Sequence, residues 1–444
     1  MTDTAPTRAS VRPGFFRWSV VVFAILLPLA VWTAWDYVEA RRLKGRIDAI
    51  RAKHEAVTLD EIERSRELTG EAAEADRLYQ AAAALARPDR GAFARGGFLE
   101  RADKIMSGSI WPNDVVASWP DDFRADVRAY LERRQDALSL LDRASSLTFE
   151  GFSAGTTYSY RTARLWDLRR LCRMRTMLLA IDRESDRAAD SLYSGIRLDR
   201  AIERSGAWWP VSSFSNEVGF VGDHVRLSPD ALSRIARALD AFDRDEALRD
   251  RLIRDRALLI GELFVGGNVS RYAGALKLQP GSLWETIRKP WFEHQLNEGL
   301  DTFAAAIARS DRPWPERIDA VDQTVRKQGL LSLFYVDSHA DRIVDLAQLR
   351  CARVAVATEQ YKRAYGERVP ARLEDLVPAY LDAPPIDPFS GRALRFVMRD
   401  GGYIVYSIGS NRRDEGGPQR VVGRTVGPGH ADPESLDDIG IRVR

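Results

Sequence analysis

At 444 residues with 45% hydrophobic and 29% charged side chains, the chain has the composition of folded globular protein and is too long for one compact core, so two or three domains are expected. A formal net charge of +2 excludes a dominant electrostatic partner such as nucleic acid, whose backbone needs a concentrated excess of Lys and Arg. The histidines His54, His224, His294, His339 and His430 are not spaced as metal ligands on a helix face, and His54-Glu55 lacks the second histidine of a zinc-protease motif.

Residues 1–17 read as a cytoplasmic or flexible tail. From Trp18 to Trp35 the sequence holds no ionisable side chain, a run of about 27 Å as a helix, enough to cross hydrocarbon. Its aliphatic and aromatic residues, Val20 to Leu29 and Val31, together supply roughly −3 to −5 kcal/mol of insertion free energy. Trp18, Trp32 and Trp35 stand near the ends, where indole rings favour the headgroup layer. Bulky Trp32 and Trp35 occupy the place where a signal peptidase needs small residues, so an uncleaved single-pass anchor is predicted. Arg8, Arg12 and Arg17 precede the run and Arg41, Arg42, Lys44 and Arg46 follow it. Taken alone, this charge balance points to a cytoplasmic C-terminal region.

Residues 36–340 read as successive amphipathic helices, arranged as helical hairpins in a bundle or short solenoid. Phe123, Val127, Tyr130, Leu131, Leu138 and Leu141 share one helical face, and Leu168, Leu171, Cys172, Leu178 and Leu179 share another. Ser228-Pro229-Asp230 has the cap, first-turn proline and acid of a helix start, continued by Leu232, Ile235, Leu239 and Phe242. A further helix follows through Leu248, Leu252, Leu259 and Leu263. Cys172 and Cys351 sit in apolar helical patterns and are expected as buried thiols. The tryptophans, among them Trp119, Trp208 and Trp209, are expected to fill core.

Gly151-Phe152-Ser153-Ala154-Gly155 has the spacing of a nucleophile elbow, which requires a strand before the serine and a helix after it in a parallel sheet. Leu147 to Phe149 is too short for that strand, so an interhelical loop is predicted. Ser153 is the sole candidate nucleophile of an alternative hydrolase reading. No catalytic residue and no small-molecule substrate are assigned.

Residues 341–444 read as an α+β domain. A helix from about Arg342 to Tyr365 carries Ile343, Leu346, Leu349, Val354, Ala357 and Tyr361 on one stripe and stops at Gly366. A short helix over Ala371 to Leu376 and a proline-rich turn at Pro384 to Pro388 follow. Leu394, Phe396 and Met398, then Tyr403, Val405 and Ser407, alternate as two strands joined by Asp400-Gly401-Gly402.

The order Glu359-Gln360-Tyr361, Tyr365-Gly366, Val369-Pro370, Leu373, Leu376-Val377-Pro378, Tyr380-Leu381, Pro385, Asp387-Pro388, Gly391, Tyr406-Ser407-Ile408-Gly409 and Gly416-Gly417 resembles the soluble domain of G-type pseudopilins of type II secretion systems. A fainter echo follows at Asp437-Asp438-Ile439. The resemblance implies a non-enzymatic protein of the bacterial inner membrane, its soluble region on the periplasmic face and its partners other envelope proteins. It also implies a structural calcium held by the loop from Ser407 through Asp414 and by Asp437 and Asp438, hard-oxygen chemistry that calcium favours. Unlike a pseudopilin, the chain interposes the helical region between its anchor and this domain. Gly14-Phe15 imitates a prepilin cleavage junction, but Ser19 stands where glutamate is usual. A membrane-anchored helical adaptor with no secretion role is the alternative.

Overall fold

The computed structural model describes residues 13–58, 61–62, 68–89, 97–102, 119–149, 151–152, 160–204, 213–243, 246–260, 283–319, 330–399, 401–418 and 438–443. The protein is mainly helical with one small antiparallel sheet. Two compact units are present, residues 1–58 with 256–302, and residues 59–255 with 303–444. Ser153, Trp208, Trp209, Leu263 and Asp437 lie outside the described residues.

The first unit is built on α1 (Pro13–Ala52), which carries the expected apolar run and continues well beyond it. Val20 through Val31 expose about half or more of each large apolar side chain, while Leu43 and Ile47 are buried. The change begins at Trp32, where residues 283–302 come alongside. They belong to α10 (Leu283–Ala308), whose Leu296 and Leu300 are buried. Trp32 Nε1 donates to Ile287 O at 2.8 Å, Lys289 Nζ to Asp36 Oδ1 at 2.8 Å, Asn297 Nδ2 to Glu39 Oε2 at 2.9 Å, and Arg46 Nη2 to Asp301 Oδ2 at 2.7 Å. His294 Nδ1 also meets Glu39 Oε1 at 3.0 Å. Burial alone would raise the Glu39 carboxyl, but the bonds from His294 and Asn297 outweigh it and hold the carboxyl below its ordinary value.

The second unit holds α2 (Gly70–Leu85), α3 (Asp121–Glu132), α4 (Gln135–Ser146), α5 (Tyr160–Ile181), α6 (Ser185–Arg204), α7 (Ser213–His224) and α8 (Pro229–Asp240). The stripe from Phe123 to Leu141 belongs to two helices instead of one, because the chain breaks at Arg133 and Arg134. Arg134, nonhelical at φ −121° and ψ 22°, lays its guanidinium 3.9 Å from the Tyr130 ring centroid. α5 and α6 pack together, α2 packs on α4 and α5, and α8 packs on α6. The expected cap of α8 is present, Ser228 Oγ accepting from Ala231 N at 3.2 Å. Residues 246–255, the start of α9 (Glu246–Ile260), complete this run.

α11 (Leu330–Ala364) begins a dozen residues before the helix read from the sequence and ends as expected, with Gly366 at φ +66°. The short element after it is a 3-10 turn, Leu373–Leu376. β1 (Arg395–Arg399) and β2 (Gly402–Ser407) form the expected hairpin, with Phe396 opposite Val405 and Met398 opposite Tyr403. A third strand, β3 (Ile439–Val443), pairs antiparallel with the other side of β2, Ser407 opposite Ile439 and Tyr403 opposite Val443. The sheet order is therefore β1-β2-β3.

α11 is covered twice. One side meets β2 and β3, and Tyr403 Oη donates to Ala355 O at 3.3 Å. Another side meets α7 and α8, fastened where Arg350 pairs with Asp243 at 3.0 Å and Arg353 with Asp240. One hydrophobic core consequently runs from Ala75 to Val443, joining the helices of 70–242 to the sheet. The expected division at 340/341 falls within α11 and within this unit.

Candidate functional site

The loop after β2 is the segment for which the pseudopilin resemblance implies calcium. β2 is buried on both faces. Tyr403 and Val405 join the main core, whereas Ile404 and Tyr406 are covered where the loop folds back. Gly417, at φ +104°, lies so close that a Cβ there would come within 3.3 Å of the Ile404 side chain.

Three acids hold this loop. Asp387, 1% exposed, accepts from Ser407 Oγ at 2.6 Å, Ser390 Oγ at 2.8 Å, Phe389 N at 3.0 Å and Ile408 N at 3.4 Å. Ser407 Oγ in turn accepts from Gly409 N at 3.2 Å, so its hydroxyl serves the loop entrance. Asp414 accepts from Tyr406 Oη at 2.9 Å, Arg395 Nε at 3.1 Å and Gly416 N at 3.1 Å. Burial would raise Asp414, but the bonds from Tyr406 and Arg395 prevail and keep it below the ordinary range. The Tyr406 hydroxyl is pushed up by burial and by its bond to Asp414.

Asp438, immediately before β3, receives both Gly417 N at 2.7 Å and Glu415 N at 3.0 Å on Oδ2. Its Oδ1 is buried and has no hydrogen-bond partner. Burial, then the neighbouring carboxyls of Glu415 and Asp414, push Asp438 up to about 7, against the pull of the Gly417 amide. Asp438 thus favours holding a proton near neutrality, an arrangement in which a hard cation can take the proton's place. Among the described residues no three His, Cys, Asp or Glu side chains are grouped to hold a metal ion. Asp414 is already committed to Arg395 and Tyr406, and Glu415 Oε1 accepts from Asn411 Nδ2 at 2.7 Å, so carboxylate ligation here rests chiefly on Asp438, with Glu415 beside it.

The structure thus brings Asp414 and Asp438 to one loop, and places Ser407 at its entrance on Asp387. Glu415 and Asp387 were not read as site residues. Asp387-Pro388 stood among the residues of the resemblance without a role, and Glu415 directly follows the segment assigned to the metal.

A second polar cluster lies in the helical core. Arg169 Nε contacts Asp199 Oδ1 and Oδ2 at 2.7 and 2.8 Å, and its Nη2 contacts Glu217 Oε1 at 2.7 Å. Burial disfavours the guanidinium, yet Asp199 and Glu217 outweigh it and hold Arg169 firmly protonated. Burial raises Asp199 to about 7 against the pull of Arg169. The adjacent Cys172 and the distant Cys351 are both free and buried, as expected, and burial raises both thiols. These groups satisfy one another inside the protein. Near them, an apolar crevice is lined by Leu192, Val218, Leu232, Ile235, Tyr403 and Val443.

Comparison with known proteins returns no match, whether to a family model, a curated protein or a solved structure.

Proposed function

We propose that the chain is a single-pass protein of the bacterial inner membrane, anchored by the apolar part of α1, whose soluble region makes protein contacts and performs no catalysis. The observation that carries this reading is the uncovered run from Val20 to Val31, since so apolar and so exposed a stretch of helix suits a nonaqueous surround. The G-type pseudopilin resemblance extends the proposal to a periplasmic role beside a type II secretion assembly. A helix laid on a small antiparallel sheet, with an acid-pinned loop after β2, is consistent with that extension.

The loop is proposed to take a structural calcium, with Glu415 and Asp438 as carboxylate ligands and main-chain or water oxygens completing the shell. The ion would neutralise the two acids and fix the loop over Ile404 and Tyr406. Asp438 Oδ1, buried without a hydrogen-bond partner, supports this assignment.

The adaptor reading is favoured by one feature, the burial of α11 by α7 and α8 in addition to the sheet, which leaves less of that helix for stacking against other subunits. Tagged full-length protein, solubilised and purified from its native envelope, separates the two. Recovery of secretion-system subunits is expected for the first reading, and a preparation that recovers other envelope proteins but none of these selects the second. Protease added to spheroplasts should degrade the soluble region; protection until the membrane is broken would place it in the cytoplasm. Labelling of Ser153 by a fluorophosphonate would overturn the noncatalytic assignment.

A further inference from the structure

The first unit carries a second exposed surface beside the apolar run of α1. Cross-helix partners of α1 and α10 keep a nearly constant separation in sequence, 255 for Trp32 and Ile287, 253 for Asp36 and Lys289, and 255 for both His294 with Glu39 and Arg46 with Asp301. Both numbers increase together along the pair, so the helices run in the same direction. The same offset brings Leu283, where α10 begins, level with Pro28 of α1. α10 therefore starts about one helical turn, ~6 Å, inside the level of Trp32. That is the level at which α1 changes from uncovered apolar side chains to a buried polar ladder.

The residues presented there suit a headgroup layer. Ile287 is 45% exposed, Arg288 is exposed, Lys289 is exposed though paired with Asp36, and Trp291 is half-buried. On α1, Trp35 and Tyr37 are exposed at the corresponding depth. Apolar and aromatic side chains beside Lys and Arg are the composition of the boundary between acyl chains and anionic headgroups.

We propose that residues 283–291 lie in the headgroup layer of the leaflet entered by Trp32, so that a segment more than two hundred residues after the anchor returns to the same bilayer. The inference rests on α1 being the membrane anchor. Two contacts fix the tilt of α1 and its rotation about its own axis, which a lone helix leaves free.

The test uses the full-length chain reconstituted in vesicles of phosphatidylcholine and phosphatidylglycerol, with a nitroxide attached to Ile287→Cys. Cys172 and Cys351 are buried and do not compete for the label. Phe23→Cys serves as the bilayer control and Asp230→Cys as the water control. At position 287, collisions with a nickel chelate should be several-fold rarer than at 230, and collisions with oxygen should be intermediate between 230 and 23. Water-like values at 287 beside bilayer values at 23 overturn the proposal and leave the anchor intact. Water-like values at 23 as well overturn both. Should Ile287→Cys fail to fold, Arg288→Cys gives the same readout from an exposed position.

Discussion

Asp438 is the residue at which loop structure and solution conditions meet. Its ordinary value is 3.8 and the fold raises it to about 7, so the folded state binds the proton more tightly than the unfolded chain does. The associated stability is full below about pH 4 and is lost as pH rises through 7. Asp199 is shifted in the same direction by burial, so a fall in melting temperature from pH 5 to pH 8 has two sources. Asp438→Asn, which cannot ionise, should remove only its own share of that slope. Calcium added to full-length protein in detergent at pH 8 should raise the melting temperature of the parent chain and leave Asp438→Asn unchanged. At 100 times its dissociation constant, an ion selective for the folded state adds about 2.7 kcal/mol, a shift of several degrees. An unmoved transition of the parent chain at millimolar calcium would end the metal assignment. The sequence pointed to Asp414 and Asp438 through their resemblance to a known loop. It could not show that Asp414 is engaged by Arg395 and Tyr406, nor that Glu415 would be the nearer partner, because both depend on where the loop lies over β2.

Among the elements, those set by local rules were legible and those set by distant partners were not. The Ser228 cap, the Gly366 stop and the hairpin through Gly401 follow from backbone preferences within a few residues. β3 is short and its partner lies more than thirty residues away, so although Ile439, Ile441 and Val443 alternate as in a strand, the sequence does not say which strand they join. Gly440 is its one clue, because a Cβ there would sit 2.4 Å from Val405 O. The junction of α5, α6 and α7 was likewise invisible, since Arg169, Asp199 and Glu217 look like surface charges on amphipathic helices. Their burial makes them interdependent. Arg169→Leu would leave two carboxylates enclosed without their cation, and breaking a buried pair costs about 3–5 kcal/mol. Urea unfolding of the full-length variant should show a loss of that size; a loss below ~1 kcal/mol would mean that water reaches the cluster. Replacing all three with apolar residues should recover much of the loss, because the desolvation cost disappears with the charges.

At the scale of the molecule, an apolar helix and two compact units have to be reconciled with one sequence of ordinary composition. The overall charge and hydrophobic fraction hide the anchor because its apolar run is a small part of the chain. The pairing of α1 with α10 is hidden for another reason. Its contacts are made by Asp36, Glu39, Arg46, Lys289, His294 and Asn297, polar residues that sequence alone assigns to solvent, about 255 positions from their partners. This ladder also changes the meaning of the basic residues after the apolar run, since Arg42 and Arg46 are both held by Asp301 of the neighbouring helix. The proposed anchor is the term that would place the whole protein. Removing residues 1–31 deletes the uncovered apolar surface while keeping Trp32 and the ladder below it, so the remaining chain should leave the membrane pellet and retain helical circular dichroism. The full-length chain should resist extraction by alkaline carbonate. Carbonate release of the full-length protein would show that α1 does not span the bilayer. Retention of the shortened chain on the membrane, reversed by high salt, would instead show that the surface around Ile287 and Arg288 binds headgroups strongly enough to act alone.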